Sequence, residues 1–143
     1  MRTLAIAGMT AMLVGGCALE SSESAPESRE AQEALTSFSK SFSFHKHYVG
    51  QSRFVVAEHG LVTVAAHASW DRPGACKLPN FDIELVKTGF LGSAGALTFP
   101  ATGRTASHSW SNLGAGTYYL VFDSTNDEPS CELAGAVTVT IRP

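Results

Sequence analysis

The sequence predicts an all-β protein built as an antiparallel β-sandwich, and three observations support this. From Phe38 onward, apolar and polar residues alternate over short runs. Clusters of Gly, Pro, Asn and Asp separate the runs, as turns separate strands. No part of this region has helical spacing over more than two turns. Short alternating strands of this kind are typical of a sandwich in which each sheet has one buried and one solvated face.

Residues 1–16 have the features of a signal peptide that directs export. Arg2 gives a positive start, and an apolar run from Leu4 to Val14 follows it. The run is about half as long as a helix that spans a bilayer. An N-terminal core strand or helix is the alternative interpretation of this run.

The residues Val14-Gly15-Gly16-Cys17 resemble the lipobox of bacterial lipoproteins, in which small or aliphatic residues precede an obligatory Cys. The resemblance implies cleavage before Cys17 and acylation of Cys17. Each buried CH₂ of a lipid chain contributes ~0.8 kcal/mol, so more than one chain gives a stable membrane anchor. Ala18 follows the Cys. In Gram-negative lipoproteins, a residue other than Asp at this position implies transit to the outer membrane. We therefore expect a lipid-anchored protein of the bacterial cell envelope.

Residues 17–37 are predicted to form a flexible tether. The stretch "SSESAPESRE" is rich in Ser and Glu and nearly lacks large apolar residues. Such a segment cannot bury enough apolar surface to offset the entropy of folding, so we expect disorder.

A folded domain is predicted over residues 38–143. In its first run, Phe42 and Phe44 share a face with Lys46, whereas His45 and His47 point the other way. Weaker runs lie at residues 52–60 and 105–111. The remaining runs predict these inward-facing sets: Val62, Val64, Ala66, Ala68 and Trp70; Phe81, Ile83 and Leu85; Tyr118, Leu120 and Phe122; Val137, Val139 and Ile141.

Three blocks of this domain resemble, in order, the strands of bacterial pre-peptidase C-terminal domains. "GLVTVAA" is similar to a strand that follows a Gly, and "NFDIEL" to a D-x-D-L-x-L strand, with Asn80 at the first Asp and Asp82 at the second. "GAGTYYLVF" resembles an A-G-T-Y-Y strand, and the last strand "VTVTI" follows it. The resemblance covers residues 53–141 and implies a jelly-roll-like β-sandwich. No peptidase accompanies these blocks, so the role of a protease appendage does not carry over.

Cys76 and Cys131 are the cysteines that the lipid anchor does not use. Cys76 lies in a Pro/Gly loop before the strand of Phe81, and Cys131 lies just before the last strand. Because export exposes the domain to an oxidising compartment, we expect a disulfide between them. Two free thiols in the core are the alternative.

The charge balance argues against a protein that binds nucleic acid. The chain has a formal net charge of −3, and its residues 37–143 hold eight Lys or Arg and eight Asp or Glu. A neutral domain without a basic cluster lacks the electrostatic footprint of such proteins.

We also expect no enzymatic activity. The sequence has no G-x-S-x-G motif and no helix that could form a nucleophile elbow. Asp82 and Glu84 are predicted on the solvent face of a strand, and Asp127 and Glu128 in a polar turn, so solvation accounts for both pairs of acids.

Two residue clusters are candidates for a metal site. His45 and His47 are alternate residues of one predicted strand, so both imidazoles could reach one Zn²⁺. Further ligands would have to come from His59, His67, His108 or Glu58. A turn offers oxygen atoms that suit Ca²⁺, from Asp123, Asn126, Asp127 and Glu128. Exposed histidines and a polar turn explain both clusters without a metal, so the prediction is a protein with no cofactor.

Aromatic side chains offer a surface for binding a sugar or a peptide. Tyr119 shares its face with Val121, opposite the inward set, and Trp110 follows a Ser/His-rich strand. We name Trp110 and Tyr119 as candidate ligand-binding residues, with filling of the core as the alternative for each. Trp70 has the parity of core residues.

These observations favour a lipid-anchored, non-catalytic module of the envelope that recognises a protein or polysaccharide partner. A narrower form of this hypothesis is an accessory lipoprotein of a complex for cell-surface adhesion, gliding motility or secretion. The alternatives are a metal-binding protein that uses His45 and His47, and an inhibitor or immunity protein that blocks a site on another protein.

Overall fold

The structure, a computed structural model, describes residues 36–143, and these form an all-β fold. The predicted signal peptide, Cys17 and most of the predicted tether lie outside the described residues. No helix within residues 36–143 has the length and apolar character needed to cross a membrane. Nine strands follow one another: β1 (Thr36–Phe44), β2 (His47–Val49), β3 (Phe54–Val56), β4 (Gly60–Trp70), β5 (Asn80–Lys87), β6 (Ser93–Pro100), β7 (Ala106–Leu113), β8 (Gly116–Asp123) and β9 (Leu133–Arg142).

The strands form two antiparallel sheets in jelly-roll order. The first sheet has the order β1-β9-β4-β7, and the second has β2-β8-β5-β6, with β3 also paired to β8. Since β2 and β3 pair with opposite ends of β8, they are two halves of one interrupted edge strand. Each sheet then has four strands, and the chain crosses between the sheets as it does in a jelly roll. The predicted all-β sandwich is confirmed.

The first strand begins slightly earlier than the boundary at residue 38. Thr36 pairs with Ile141 and Ser37 with Thr140 on β9. The hydroxyl oxygens of Ser37 and Thr140 lie 3.3 Å apart. Thr36 and Ser37 therefore belong to the sandwich, although they were assigned to the tether.

The predicted first run does not continue as one strand to Val49. β1 ends at Phe44 and pairs with β9 in the first sheet, the chain bends at His45 and Lys46, and β2 then joins the second sheet. A chain that turns the corner between two sheets must leave the first hydrogen-bond ladder. The prediction that Lys46 shares a face with Phe42 and Phe44 is therefore wrong.

The core lies between the two sheets and is rich in phenylalanine. The ring centroid of Phe122 lies 4.6 Å from that of Phe42 and 6.2 Å from that of Phe44. The ring of Phe81 lies 5.8 Å from that of Phe42. Every residue of the four predicted inward-facing sets is buried, including Trp70. The alternating pattern thus identified the buried faces correctly.

Strand β6 has no counterpart among the predicted strands. It pairs with β5 at the edge of the second sheet, and its residues Ser93–Ala96 are exposed. Phe99 is its one fully buried residue. An edge strand with so little buried surface shows no alternation for sequence analysis to detect.

The predicted disulfide between Cys76 and Cys131 is present and joins the β4–β5 loop to the β8–β9 loop. Asp71 strengthens the same junction, because its Oδ1 accepts a hydrogen bond of 3.0 Å from the backbone N–H of Glu132. That bond outweighs the opposing effect of burial and, with the nearby Arg72 guanidinium, holds the pKa of the Asp71 carboxyl below its usual range. The two loops form one cross-linked end of the sandwich.

Candidate functional site

Trp110 does not lie on an exposed aromatic surface, so its assignment as a ligand-binding residue is wrong. Its side chain is 6% exposed, and its indole Nε1–H donates a hydrogen bond of 2.9 Å to the carbonyl oxygen of Gly95. In the register of β4 and β7, Trp110 lies opposite the inward-facing Val62. The pairing turns the indole into the core, and it places Trp110 in a different sheet from Tyr119.

Tyr119 lies on the outer face of β8, as predicted, and its partner is Arg53. The Arg53 guanidinium carbon lies 4.0 Å from the centroid of the Tyr119 ring. One guanidinium N–H donates a hydrogen bond of 2.6 Å to the carbonyl oxygen of Gly50. This bond fixes the guanidinium above the ring, where the π electrons attract the cation. Arg53 could not be identified from the sequence, because no local pattern marks a residue that stacks on another strand.

Apolar side chains surround this pair on the same face of the second sheet. Val86 on β5 lies directly opposite Tyr119. Val49 and Val55, on the two halves of the interrupted edge strand, are 37% and 73% exposed. We call these five residues the Tyr119 face: Val49, Arg53, Val55, Val86 and Tyr119. Tyr and Arg are among the residue types that are enriched in protein-binding hot spots.

Carboxylates border the Tyr119 face on the side of the disulfide. Glu84 lies two residues from Val86 on the outer side of β5, and Asp82 and Asp123 follow in the next register row. Asp82 accepts a hydrogen bond of 2.7 Å from the Thr98 hydroxyl. Glu84 has no ion-pair partner within residues 36–143. The face therefore has one stacked cation at its centre and an available anion at its edge.

A second exposed apolar feature extends from strand β5. Phe90 and Leu91, in the turn between β5 and β6, are 68% and 105% exposed. The turn begins after Lys87, which pairs with Tyr118 at the end of the sandwich opposite the disulfide. Two adjacent apolar side chains at a hairpin tip are therefore largely exposed to solvent.

The geometry expected for a zinc site at His45 and His47 is not present. The bend in the chain separates the two side chains. Nδ1 of His45 lies 3.0 Å from the carbonyl oxygen of Cys131, and Nδ1 of His47 lies 2.6 Å from Asp123 Oδ1. Within residues 36–143, no three His, Cys, Asp or Glu side chains are grouped as metal ligands.

The other proposed ligands also have separate partners. Nδ1 of His59 lies 2.7 Å from Asn112 Oδ1, and the His108 ring packs edge-on against Phe99. Glu58 accepts a hydrogen bond from the Ala115 backbone N–H. His67 lies on the outer side of β4, in the first sheet. These side chains do not converge on a common point.

The turn proposed for Ca²⁺ uses its oxygen atoms in other ways. Asp123 contacts His47, and Lys46 Nζ donates a hydrogen bond of 3.0 Å to Asp127. The buried Asn126 side chain accepts from the backbone N–H of Glu128 and donates to its carbonyl oxygen. Within residues 36–143, Asp123, Asp127 and Glu128 are not grouped as ligands of one metal ion.

Comparison with known proteins shows no family. No family model matches the sequence, and no curated protein matches it. The periplasmic lysozyme inhibitor PliG of Aeromonas hydrophila, an inhibitor of g-type lysozyme, is 12% identical over 76% of this chain and 87% of its own, with a TM-score of 0.46.

Two further solved structures are similar at the same level. The CBM36-1 domain of a multidomain xylanase from the hindgut metagenome of Trinervitermes trinervoides is 11% identical over 78% of this chain and 92% of its own, with a TM-score of 0.42. A protein of Bacillus endospore appendages, which are disulfide-linked pili, is 10% identical over 76% of this chain and 88% of its own, with a TM-score of 0.38.

Proposed function

We propose that this protein is a lipid-anchored, non-catalytic binding module of the bacterial envelope and that it recognises a partner through the Tyr119 face. The observation that carries the proposal is the Arg53 guanidinium stacked 4.0 Å from the Tyr119 ring among exposed valines. Tyr and Arg bury large areas on association, and their side chains dominate measured binding energies at interfaces.

The chemistry of the face favours a protein partner over a polysaccharide. A sugar stacks on an open aromatic ring, but Arg53 covers the ring of Tyr119. The guanidinium has five N–H donors, of which one is used by Gly50. The remaining donors suit a carboxylate or backbone carbonyl of a protein, and Val49 and Val55 offer it aliphatic surface.

Affinity capture of the anchored protein from membranes tests the proposal. Arg53→Ala and Tyr119→Ala should each weaken partner binding by about 2 kcal/mol or more, which is about 30-fold in Kd. Arg104→Ala is the matched control, because Arg104 is an exposed arginine in the β6–β7 loop. We expect this control to bind as the wild type does.

Two outcomes would contradict the proposal. Capture of no stoichiometric partner would contradict the binding function. Equal binding by Arg53→Ala, Arg104→Ala and the wild type would show that the interface does not include the Tyr119 face. A captured polysaccharide that resists protease would instead support the alternative class of partner.

The lipid anchor rests on Val14-Gly15-Gly16-Cys17, and it has its own test. Cys17→Ala is expected to release the protein from membranes or to leave an uncleaved precursor, since acyl chains supply the membrane affinity. Fractionation after a high-salt wash measures this. The double variant Cys76→Ala/Cys131→Ala is the matched cysteine control and should stay with the membrane. A Cys17→Ala protein that still sediments with lipid and is cleaved would contradict the anchor.

A further inference from the structure

A cleft opens into the core along one side of the sandwich, and it shares no lining residue with the Tyr119 face. It lies between β1 and the interrupted edge strand of the second sheet, and its volume is about 140 Å³. Its inner wall consists of buried residues from both sheets: Phe42, Phe54, Leu120, Phe122, Val137 and Val139. The exposed residues Lys40, Ser41 and Gln51 also line the cleft.

Two features, one on each side of the cleft, leave this space unfilled. On β1, Lys40 has the same parity as the inward-facing Phe38 and Phe42 but is exposed, since its ammonium group cannot be buried without a partner. On the other side, the ladder to β8 breaks between Val49 and Phe54. The segment 50–53 thus adds no apolar side chain where Lys40 leaves a gap.

Glycine holds the interruption in place. The Gly50 N–H donates a hydrogen bond of 2.9 Å to the carbonyl oxygen of Leu120. A Cβ atom at residue 50 would lie 2.9 Å from that same oxygen, closer than side-chain carbons normally approach. The backbone that lines the mouth is therefore built to pass close to β8.

The size and the walls of the cleft suit an aromatic ring. A dry apolar cavity of about 150 Å³ binds benzene. One end of this cleft is closed by Phe38 and Phe54, whose ring centroids lie 5.6 Å apart. The other end is closed by Tyr48 and Phe122, at 5.7 Å. Aromatic walls favour a ring over an alkyl chain, because ring pairs in tilted contact gain energy beyond the area they bury.

The charge at the mouth is positive. Lys40 has no carboxylate partner within residues 36–143, and no acidic residue lines the cleft. A ligand that places its ring between the two aromatic ends would bring its polar end to the Lys40 ammonium.

We infer that the cleft binds a small aromatic carboxylate, with the ring between the sheets and the carboxylate at Lys40. The site is separate from the Tyr119 face and does not depend on the proposed partner. The competing role for Lys40 is protective, because an inward-pointing charge on an edge strand opposes pairing with another chain.

Titration of the full chain carrying Cys17→Ala, followed by amide NMR shifts, tests the inference with three matched probes. These are 3-phenylpropionate, 3-phenylpropan-1-ol and 3-phenylpropylamine. We expect saturable shifts at residues that line the cleft, with Kd in the millimolar range for the acid. The acid should bind about threefold more tightly than the alcohol, as expected for one exposed ion pair, and the amine should bind least.

Two variants separate the contributions of charge and shape. Lys40→Gln removes the charge but keeps a polar side chain that also avoids burial, so it should make the acid and the alcohol bind equally while keeping the alcohol affinity of the wild type. Val137→Leu adds a methylene to the inner wall and should weaken all three probes by about tenfold, because the ring no longer fits. The thermal unfolding of each variant is measured alongside.

Three results would overturn the inference. One is the absence of saturable shifts with the acid up to about 10 mM, because the Kd would then be weaker than the expected millimolar value. Another is an acid affinity unchanged by Lys40→Gln. The third is self-association of Lys40→Gln with no probe binding to the wild type, which would assign Lys40 to edge protection alone.

Discussion

Removal of the Cys76–Cys131 disulfide is expected to lower the free energy of unfolding by about 4 kcal/mol. The bond joins residues 55 positions apart in sequence, and the entropy that it removes from the unfolded chain grows with that separation. The change is Cys76→Ala with Cys131→Ala, which leaves no unpaired cysteine in the sandwich. Denaturant unfolding followed by the fluorescence of Trp70, which lines the same loop end as Cys76, measures the difference.

Reductant supplies the matched control for this prediction. It should destabilise the wild type by a similar amount and leave the double variant unchanged. A loss below about 1 kcal/mol would mean that the Asp71 hydrogen bonds to Glu132 already hold the two loops together in the absence of the disulfide.

Replacing Phe122 with Ala is expected to cost about 3–5 kcal/mol of stability. The ring is 2% exposed and packs within 4.6 Å of the Phe42 ring and 5.7 Å of the Tyr48 ring, centroid to centroid. The substitution removes apolar contacts and leaves a cavity that the two rigid sheets cannot close. Thermal and denaturant unfolding of the purified variant measure the loss.

Phe90→Ala is the matched control, because the same atoms are removed from a side chain that is 68% exposed. We expect its stability to stay within about 0.5 kcal/mol of the wild type. Equal destabilisation by Phe90→Ala and Phe122→Ala would contradict the assignment of the core.

The buried faces of the sandwich could be predicted because alternation is a local property of a strand. Apolar residues alternate with polar or small ones over Val62 to Trp70 and over Val137 to Ile141. This period of two identifies the inward face of each strand, whichever strand lies beside it. The disulfide was also predictable, since only two cysteines remain after Cys17. Strand β6 was not predicted, because its one buried residue, Phe99, cannot produce an alternating pattern.

The candidate site could be predicted only in part. Tyr119 follows the parity of β8, so its outward direction was correct. The strand of Trp110 has no clear alternation that would assign its side chain to a face. The side chain points into the core because Trp110 lies opposite the inward-facing Val62 on β4. The predicted placement of His45 and His47 on one face was wrong for a related reason, since alternation places the two side chains together only if the strand stays straight.

The sequence by itself determined the class of fold, the inward residues of the long strands, the cysteines available to pair and the polar character of the turns. These follow from spacing along one chain segment. Only the tertiary structure decided that Arg53 stacks on Tyr119, that Trp110 enters the core and that Lys40 borders a cleft. Each of these depends on which strands become neighbours and where the chain changes sheets. That choice is made by the packing of the whole core and not by any local pattern.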